Sequence, residues 1–102
     1  MVSFTVEKAE SMSDESIKLR LTFRLSPQQA SLMLLLLSME VVASQVIYER
    51  LSVGTEVRVA VHRLRKSLET YNINIEAKRG LGYWLTSETK AKIRQILADR
   101  EH

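Results

Sequence analysis

The residues whose side chains could do chemistry are concentrated in one basic stretch. Between residues 58 and 79, two acidic residues stand against six cations: Arg58, Arg63, Arg65, Lys66, Lys78 and Arg79. Residues 1–50 hold five basic and six acidic residues, a formal charge of −1, whereas residues 51–102 hold ten and six, a charge of +4. A local basic surface is typical of proteins that bind a polyanion. The stretch therefore predicts a nucleic-acid-binding surface, and a plain solvated helix face is the competing interpretation.

A helix over residues 56–71 is predicted to position most of these cations. Four apolar residues recur at helical spacing: Val57, Val61, Leu64 and Leu68. At roughly 100° per residue they lie within about 60° of one another and form a core stripe. Five basic residues lie on the other side or at its edge: Arg58, His62, Arg63, Arg65 and Lys66. Such a helix fits the major groove of DNA, where an exposed arginine can donate two hydrogen bonds to one guanine.

The segment after this helix holds two glycines, Gly80 and Gly82, one residue apart. Apolar and polar residues alternate on both sides of them, between residues 73 and 86, which predicts two short strands. A nucleotide-binding Gly-x-Gly would need a helix after it and a third glycine, and here a predicted strand follows. We therefore predict a hairpin whose tip carries Lys78 and Arg79 to phosphates or to the minor groove.

The preceding half of the chain supplies the other predicted elements. Strict alternation in residues 2–6 and again in residues 17–25 predicts two N-terminal strands that pair as a hairpin. Ser26 is a good N-cap, with Pro27 at the first helical position and Gln29 at the spacing of a capping box. The helix that follows is apolar nearly all round and should lie at the centre of the core.

A second helix is predicted near residues 43–51 and a terminal helix over residues 87–101, with the segment SVGT as the break before the basic helix. Together these elements predict an α+β fold, a winged helix-turn-helix, in one domain over residues 1–102. In chain order it comprises N-terminal strands in 1–25, a three-helix core in 26–71, a wing in 73–86 and a terminal helix in 87–101.

Three motifs resemble one known family. They are VRVAVHRLRKSLE at residues 57–69, INIEAKRGLGYWL at residues 73–85 and FRLSPQQASLMLLL at residues 23–36. These motifs resemble the winged-helix effector domain of OmpR/PhoB-type response regulators, whose pattern is V-D-V-H-I-x-R-L-R-K-K-L followed by I-x-T-V-R-G-x-G-Y-x-L. The chain shows no phosphoacceptor receiver domain, so no regulation by phosphorylation is expected.

The resemblance implies roles for individual residues. Arg63 and Arg65 would contact DNA from the recognition helix, and Arg79 would approach the minor groove. Three residues would shape and anchor the wing: Gly80, Gly82 and Tyr83. The family uses a longer loop before its recognition helix to contact RNA polymerase, and that loop is short here. The resemblance therefore favours a repressor or accessory regulator over a polymerase-contacting activator.

Composition excludes several other classes of function. With no cysteine among 102 residues, disulfides, thiolate metal sites and cysteine nucleophiles are excluded. His62 and His102 are the only histidines, and there is no Ser-His-Asp order with supporting elements. We therefore expect no metal, no cofactor and no enzyme activity. The apolar run at residues 32–37 is far shorter than the ~20 residues of a membrane span. We expect a cytoplasmic, nucleoid-associated protein that does not bind a membrane.

The sequence predicts a sequence-specific double-stranded DNA-binding transcription regulator, with its recognition helix in the major groove and its wing on the adjacent minor groove or backbone. One such module touches few base pairs, so a homodimer or paired binding on repeated half-sites is expected. The alternative is a winged-helix protein-interaction module that docks on RNA polymerase or another regulator, as an anti-activator or adaptor.

Overall fold

The computed structural model describes residues 14–51 and 56–100. Its five α-helices are α1 (Asp14–Phe23), α2 (Pro27–Ser38), α3 (Ser44–Leu51), α4 (Val57–Leu68) and α5 (Ser87–Arg100). A 3-10 helix, Glu69–Tyr71, continues α4, and strands β1 (Glu76–Lys78) and β2 (Gly82–Trp84) form a two-stranded antiparallel sheet.

The predicted fold class, a winged helix-turn-helix with an N-terminal hairpin and a C-terminal wing, is wrong. The part of the chain that the structure describes is mostly helical, and its small sheet has two strands of three residues each. The first strand of the predicted N-terminal hairpin, residues 2–6, falls outside the described residues.

The second strand of that predicted hairpin is largely helix α1. Leu19 and Phe23, four residues apart, are buried, whereas Ile17 and Leu21 of the same alternating run are 41% and 59% exposed. Helix α1 packs against α2 and α5, so the burial follows the helical period of about 3.6 residues rather than the period of two. Arg24 ends the helix with a φ of 58°, and the Leu25 amide donates to the Arg20 carbonyl at 3.0 Å.

The predicted wing, residues 73–86, does not match the structure either. Ile73 and Ile75 belong to neither strand, although they are only 3% and 5% exposed. They lie in the connection between the 3-10 helix and β1. These two side chains alternate with polar residues because an irregular connection directs both of them into the core. The alternation does not come from a paired strand.

Helix α2 lies at the centre of the core, as its apolar composition predicts. It packs against α1, α3 and α4, and Leu32, Met33 and Leu36 are at most 1% exposed. The predicted capping box is confirmed, because the Gln29 amide donates to Ser26 Oγ at 3.1 Å and the Ser26 amide donates to Gln29 Oε1 at 3.0 Å. No helix in the described ranges is both long and apolar enough to cross a membrane.

Helix α4 buries three of the four residues of the predicted core stripe, with Val57 half-buried, and so turns its basic side outward. Val61, Leu64 and Leu68 are at most 1% exposed. The N-cap is Glu56, which makes no side-chain cap hydrogen bond. The rotation of α4 about its axis is therefore set by apolar burial, and this fixes which cations reach the surface.

Candidate nucleic-acid interface

The exposed side of α4 carries a row of basic side chains. Arg58, His62 and Lys66 are all exposed and follow one another at intervals of four residues, so they lie along one side of the helix. Arg63 is exposed on one flank of this row, and Arg65 is half-buried on the other. The five basic residues predicted on α4 thus occupy three different environments.

Arg58 lies where α4 meets the turn between β1 and β2. It lines a groove of about 440 Å³ together with Lys78 and Arg79 of that turn. It also lines a second groove, of about 430 Å³, together with His62, Arg65 and Tyr83. The helix and the turn therefore share one charged surface, which we call the basic surface and define as Arg58, His62, Lys66, Lys78 and Arg79.

Lys66 of the basic surface has a carboxylate nearby. Its Nζ lies 4.0 Å from Glu69 Oε1, and the two side chains are 64% and 73% exposed. An exposed pair at this separation contributes little to stability, because water and salt screen it and both long side chains must be held in place. A phosphate can therefore compete with Glu69 for Lys66.

The turn that carries Lys78 and Arg79 is closed by one backbone hydrogen bond. The Leu81 amide donates to the Lys78 carbonyl at 3.0 Å. Gly80 adopts a φ of +82°, with no atom within 4 Å of where a Cβ would stand. A positive φ at the third residue of a four-residue turn favours glycine, because a side chain is strained there even in open space.

The base of the turn is fastened to the connection between α2 and α3. Val42 and Tyr83 exchange two backbone hydrogen bonds, of 2.7 and 2.9 Å. Gly82 adopts a φ of +134°, and a Cβ there would overlap the Val42 carbonyl oxygen and lie 2.9 Å from the carbonyl carbon. The backbones approach this closely because Gly82 has no side chain. Lys78 and Arg79 therefore project from a base held by contacts outside the turn.

Arg65 makes a hydrogen bond within the protein in addition to contributing positive charge to α4. Its Nη2 donates to the Ile75 carbonyl at 2.7 Å, in a partly buried position. This bond satisfies a carbonyl just before β1 and ties α4 to the connection that leads into the sheet. The resemblance implies a DNA contact for Arg65, but in this structure one of its terminal nitrogens is engaged within the protein.

Arg63 and Arg65, for which the resemblance implies DNA contacts, should behave differently when each is replaced by alanine. Arg65→Ala is expected to lower the free energy of unfolding by about 1–2 kcal/mol, because it removes a charged donor from the partly buried Ile75 carbonyl. Arg63→Ala, at an exposed position, should change it by less than about 0.5 kcal/mol. Chemical denaturation of both variants measures the difference. Equal stability of the two would refute the structural role of Arg65.

Arg63 lies on the side of α4 that faces the start of α2. Its side chain borders a groove with Ser26 and Gln28. Its carbonyl accepts a hydrogen bond from Gln29 Nε2 at 3.3 Å, and the same nitrogen donates to Ser67 Oγ at 3.1 Å. The structure therefore brings Arg63 to the N-terminal end of α2 and does not group it with the cations of the turn.

Two residues that support this surface have no role in the predicted DNA-binding site. Gln29 is recognisable as part of a capping box, but its bonds to α4 have no sequence signal because they join distant segments. Val42 likewise carries no motif, although its backbone anchors Tyr83. In the ranges described here, no group of three or more His, Cys, Asp or Glu residues is placed to hold a metal ion.

Comparisons with protein-family models, with curated protein sequences and with solved structures return no match for this chain. Any function must therefore be inferred from the surface itself and from the motifs of the sequence.

Proposed function

We propose that this chain is a sequence-specific, double-stranded DNA-binding transcription regulator. Helix α4 would enter the major groove, and the β1–β2 turn would lie on the adjacent minor groove or backbone. The observation that carries the proposal is the basic surface, in which Arg58 joins the cations of α4 to Lys78 and Arg79 of the turn. Cations on two separate elements can contact a duplex at two places at once.

The chemistry of each side chain suggests which part of the DNA it contacts. The guanidinium of Arg58 can donate two parallel hydrogen bonds to a guanine edge, whereas the ammonium of Lys66 acts as a point charge for phosphate. Arg79 on the turn can contact phosphates or enter the minor groove, whose potential is negative. Arg63, on the flank toward α2, can add a base or phosphate contact on that side of the groove.

The likeness of residues 57–69 and 73–85 to the DNA-binding domains of OmpR/PhoB-type regulators also supports the proposal. The short connection before α4 favours a repressor or accessory regulator over an activator that contacts RNA polymerase. Because a single module reads few base pairs, the chain would act as a homodimer or as paired copies on repeated half-sites. It would work in the cytoplasm, associated with the nucleoid.

Titration against random and genomic duplexes at about 50 and 200 mM salt tests the proposal. We expect binding at the lower salt and a steep loss at the higher one, because phosphate contacts release condensed counterions. Lys66→Ala should weaken binding to all duplexes alike and lower the slope of log K against log salt by about one unit. In vitro selection of bound duplexes would then give the recognition motif and the half-site spacing together.

Absence of any duplex binding at the lower salt would reject the proposal. A module that docks on RNA polymerase or another regulator would then be the better interpretation of the same surface. A salt slope unchanged in Lys66→Ala would remove that residue from the interface without rejecting DNA binding as a whole.

A further inference from the structure

The tip of the β1–β2 turn carries an exposed leucine between its two glycines. Leu81 is 49% exposed, and it belongs neither to the hydrophobic core nor to the partly buried side chains packed against it. The fold thus gains little from an apolar side chain at this position, since much of its surface stays in water. The position is one where a bound partner could cover it.

The leucine is held on a short and well-fastened protrusion. Its own amide closes the turn on the Lys78 carbonyl, and the close approach of Gly82 to Val42 fastens the base. A side chain presented in this way loses little conformational entropy when a partner binds, because the backbone beneath it is already ordered.

Leu81 shares its groove with basic residues. It lines the same groove as Arg58, Lys78 and Arg79, so one groove carries an apolar side chain and three groups that can hold phosphates. An apolar residue that enters the minor groove beside basic residues can wedge between base pairs and kink the duplex toward the major groove. Among the exposed large apolar residues in the part of the chain that the structure describes, Leu81 is the one that lines this groove of the protein.

We propose that Leu81 is a minor-groove wedge that partly unstacks one base step and bends the DNA toward α4. This inference rests on the proposed function, because α4 and the surrounding cations must first hold the duplex. It also identifies a class of preferred site: duplexes with a flexible pyrimidine–purine step, TA or CA/TG, beneath the turn. At that step the protein would read deformability rather than a hydrogen-bonding pattern.

Bend angles of a selected duplex with a dye at each end, measured by energy transfer, test the wedge. The parent protein should bend the duplex by at least about 20°. Leu81→Ala should lose most of the bend while the affinity falls less than about tenfold, because the phosphate contacts remain. Leu81→Phe should keep the bend. The matched control is Leu21→Ala, which removes a leucine that is 59% exposed on α1 and should bend the duplex as the parent does.

A second measurement compares the affinities of the parent and of Leu81→Ala for a duplex in which the flexible step has been replaced. Replacing the flexible step beneath the turn by an A-tract, which is stiff, should weaken binding of the parent about tenfold and leave binding of Leu81→Ala nearly unchanged. Footprinting with a minor-groove probe identifies the step to replace.

The outcomes separate this inference from the function on which it rests. Binding without a bend, or a full bend by Leu81→Ala, would overturn the wedge and leave DNA binding intact. Failure of the parent and every variant to bind duplex DNA would overturn both. Loss of the bend in Leu21→Ala would also count against the wedge, because it would show that the bend does not depend specifically on the leucine of the turn.

Discussion

Replacing Gly82 by alanine is expected to lower the free energy of unfolding by about 2–4 kcal/mol, among the larger effects of a single methyl group. Gly82 has a φ of +134°, and a Cβ would overlap the Val42 carbonyl oxygen. Two costs therefore add, since the backbone must leave a conformation that alanine rarely adopts and β2 must move away from Val42. Thermal or chemical denaturation monitored by circular dichroism measures the change.

The matched control is Gly80→Ala, two residues away in the same turn. Gly80 also has a positive φ, of +82°, but no atom lies within 4 Å of the added Cβ. Only the backbone strain remains, so the expected loss is about 1 kcal/mol. If Gly80→Ala proves as destabilising as Gly82→Ala, the contact with Val42 is not what requires glycine at residue 82.

Gly82→Ala also bears on the proposed DNA contact. A shift of β2 away from Val42 would move the turn relative to α4, so Arg79 and Arg58 could no longer contact the same duplex. We expect weaker binding by Gly82→Ala even at a temperature where the variant remains folded, and near-parental binding by Gly80→Ala. Parental affinity of folded Gly82→Ala would show that the position of the turn does not matter for binding.

The largest expected effect on DNA binding comes from removing one cation of α4 and one of the turn together. The double variant Arg58→Ala/Arg79→Ala should lower the slope of log K against log salt by about one unit, because one phosphate contact is lost. Its affinity near 100 mM salt should fall by one to two orders of magnitude, roughly the loss expected when one base contact and one phosphate contact disappear. Both residues line the groove that joins the helix to the turn.

The matched control for net charge is Arg94→Ala/Arg100→Ala. Both arginines are exposed on α5 and lie outside the basic surface, and their removal changes the charge of the protein by the same amount. The control should keep nearly the parental slope, because long-range attraction alone contributes little once salt screens it beyond about 10 Å. Equal losses in the two double variants would mean that net charge, and not the basic surface, determines binding.

Features of the fold that depend on near neighbours could be predicted from the sequence. The capping box of Ser26 and Gln29 is confirmed, and so is the burial of Val61, Leu64 and Leu68 on α4. A cap joins residues three apart, and a helical stripe repeats within two turns, so the necessary information is local.

The run at residues 17–25 shows where the sequence alone misleads. Its period of two is typical of a strand, yet a strand needs a partner, and the apolar surfaces of α2 and α5 favour a helix that buries Leu19 and Phe23. The same limit applies to Ile73 and Ile75, which are buried without belonging to a strand. Periodicity reports which side chains are apolar, and packing decides which of them are buried.

By itself the sequence determined that six cations stand between residues 58 and 79 and that a helical stripe would turn several of them outward. Only the tertiary structure decided how they are grouped. Arg65 donates to the Ile75 carbonyl and Arg63 faces the start of α2, while Arg58 joins Lys78 and Arg79 across the groove. The physical reason is that Val42 fixes the turn beside α4 through contacts between residues far apart in the chain, which no local pattern encodes.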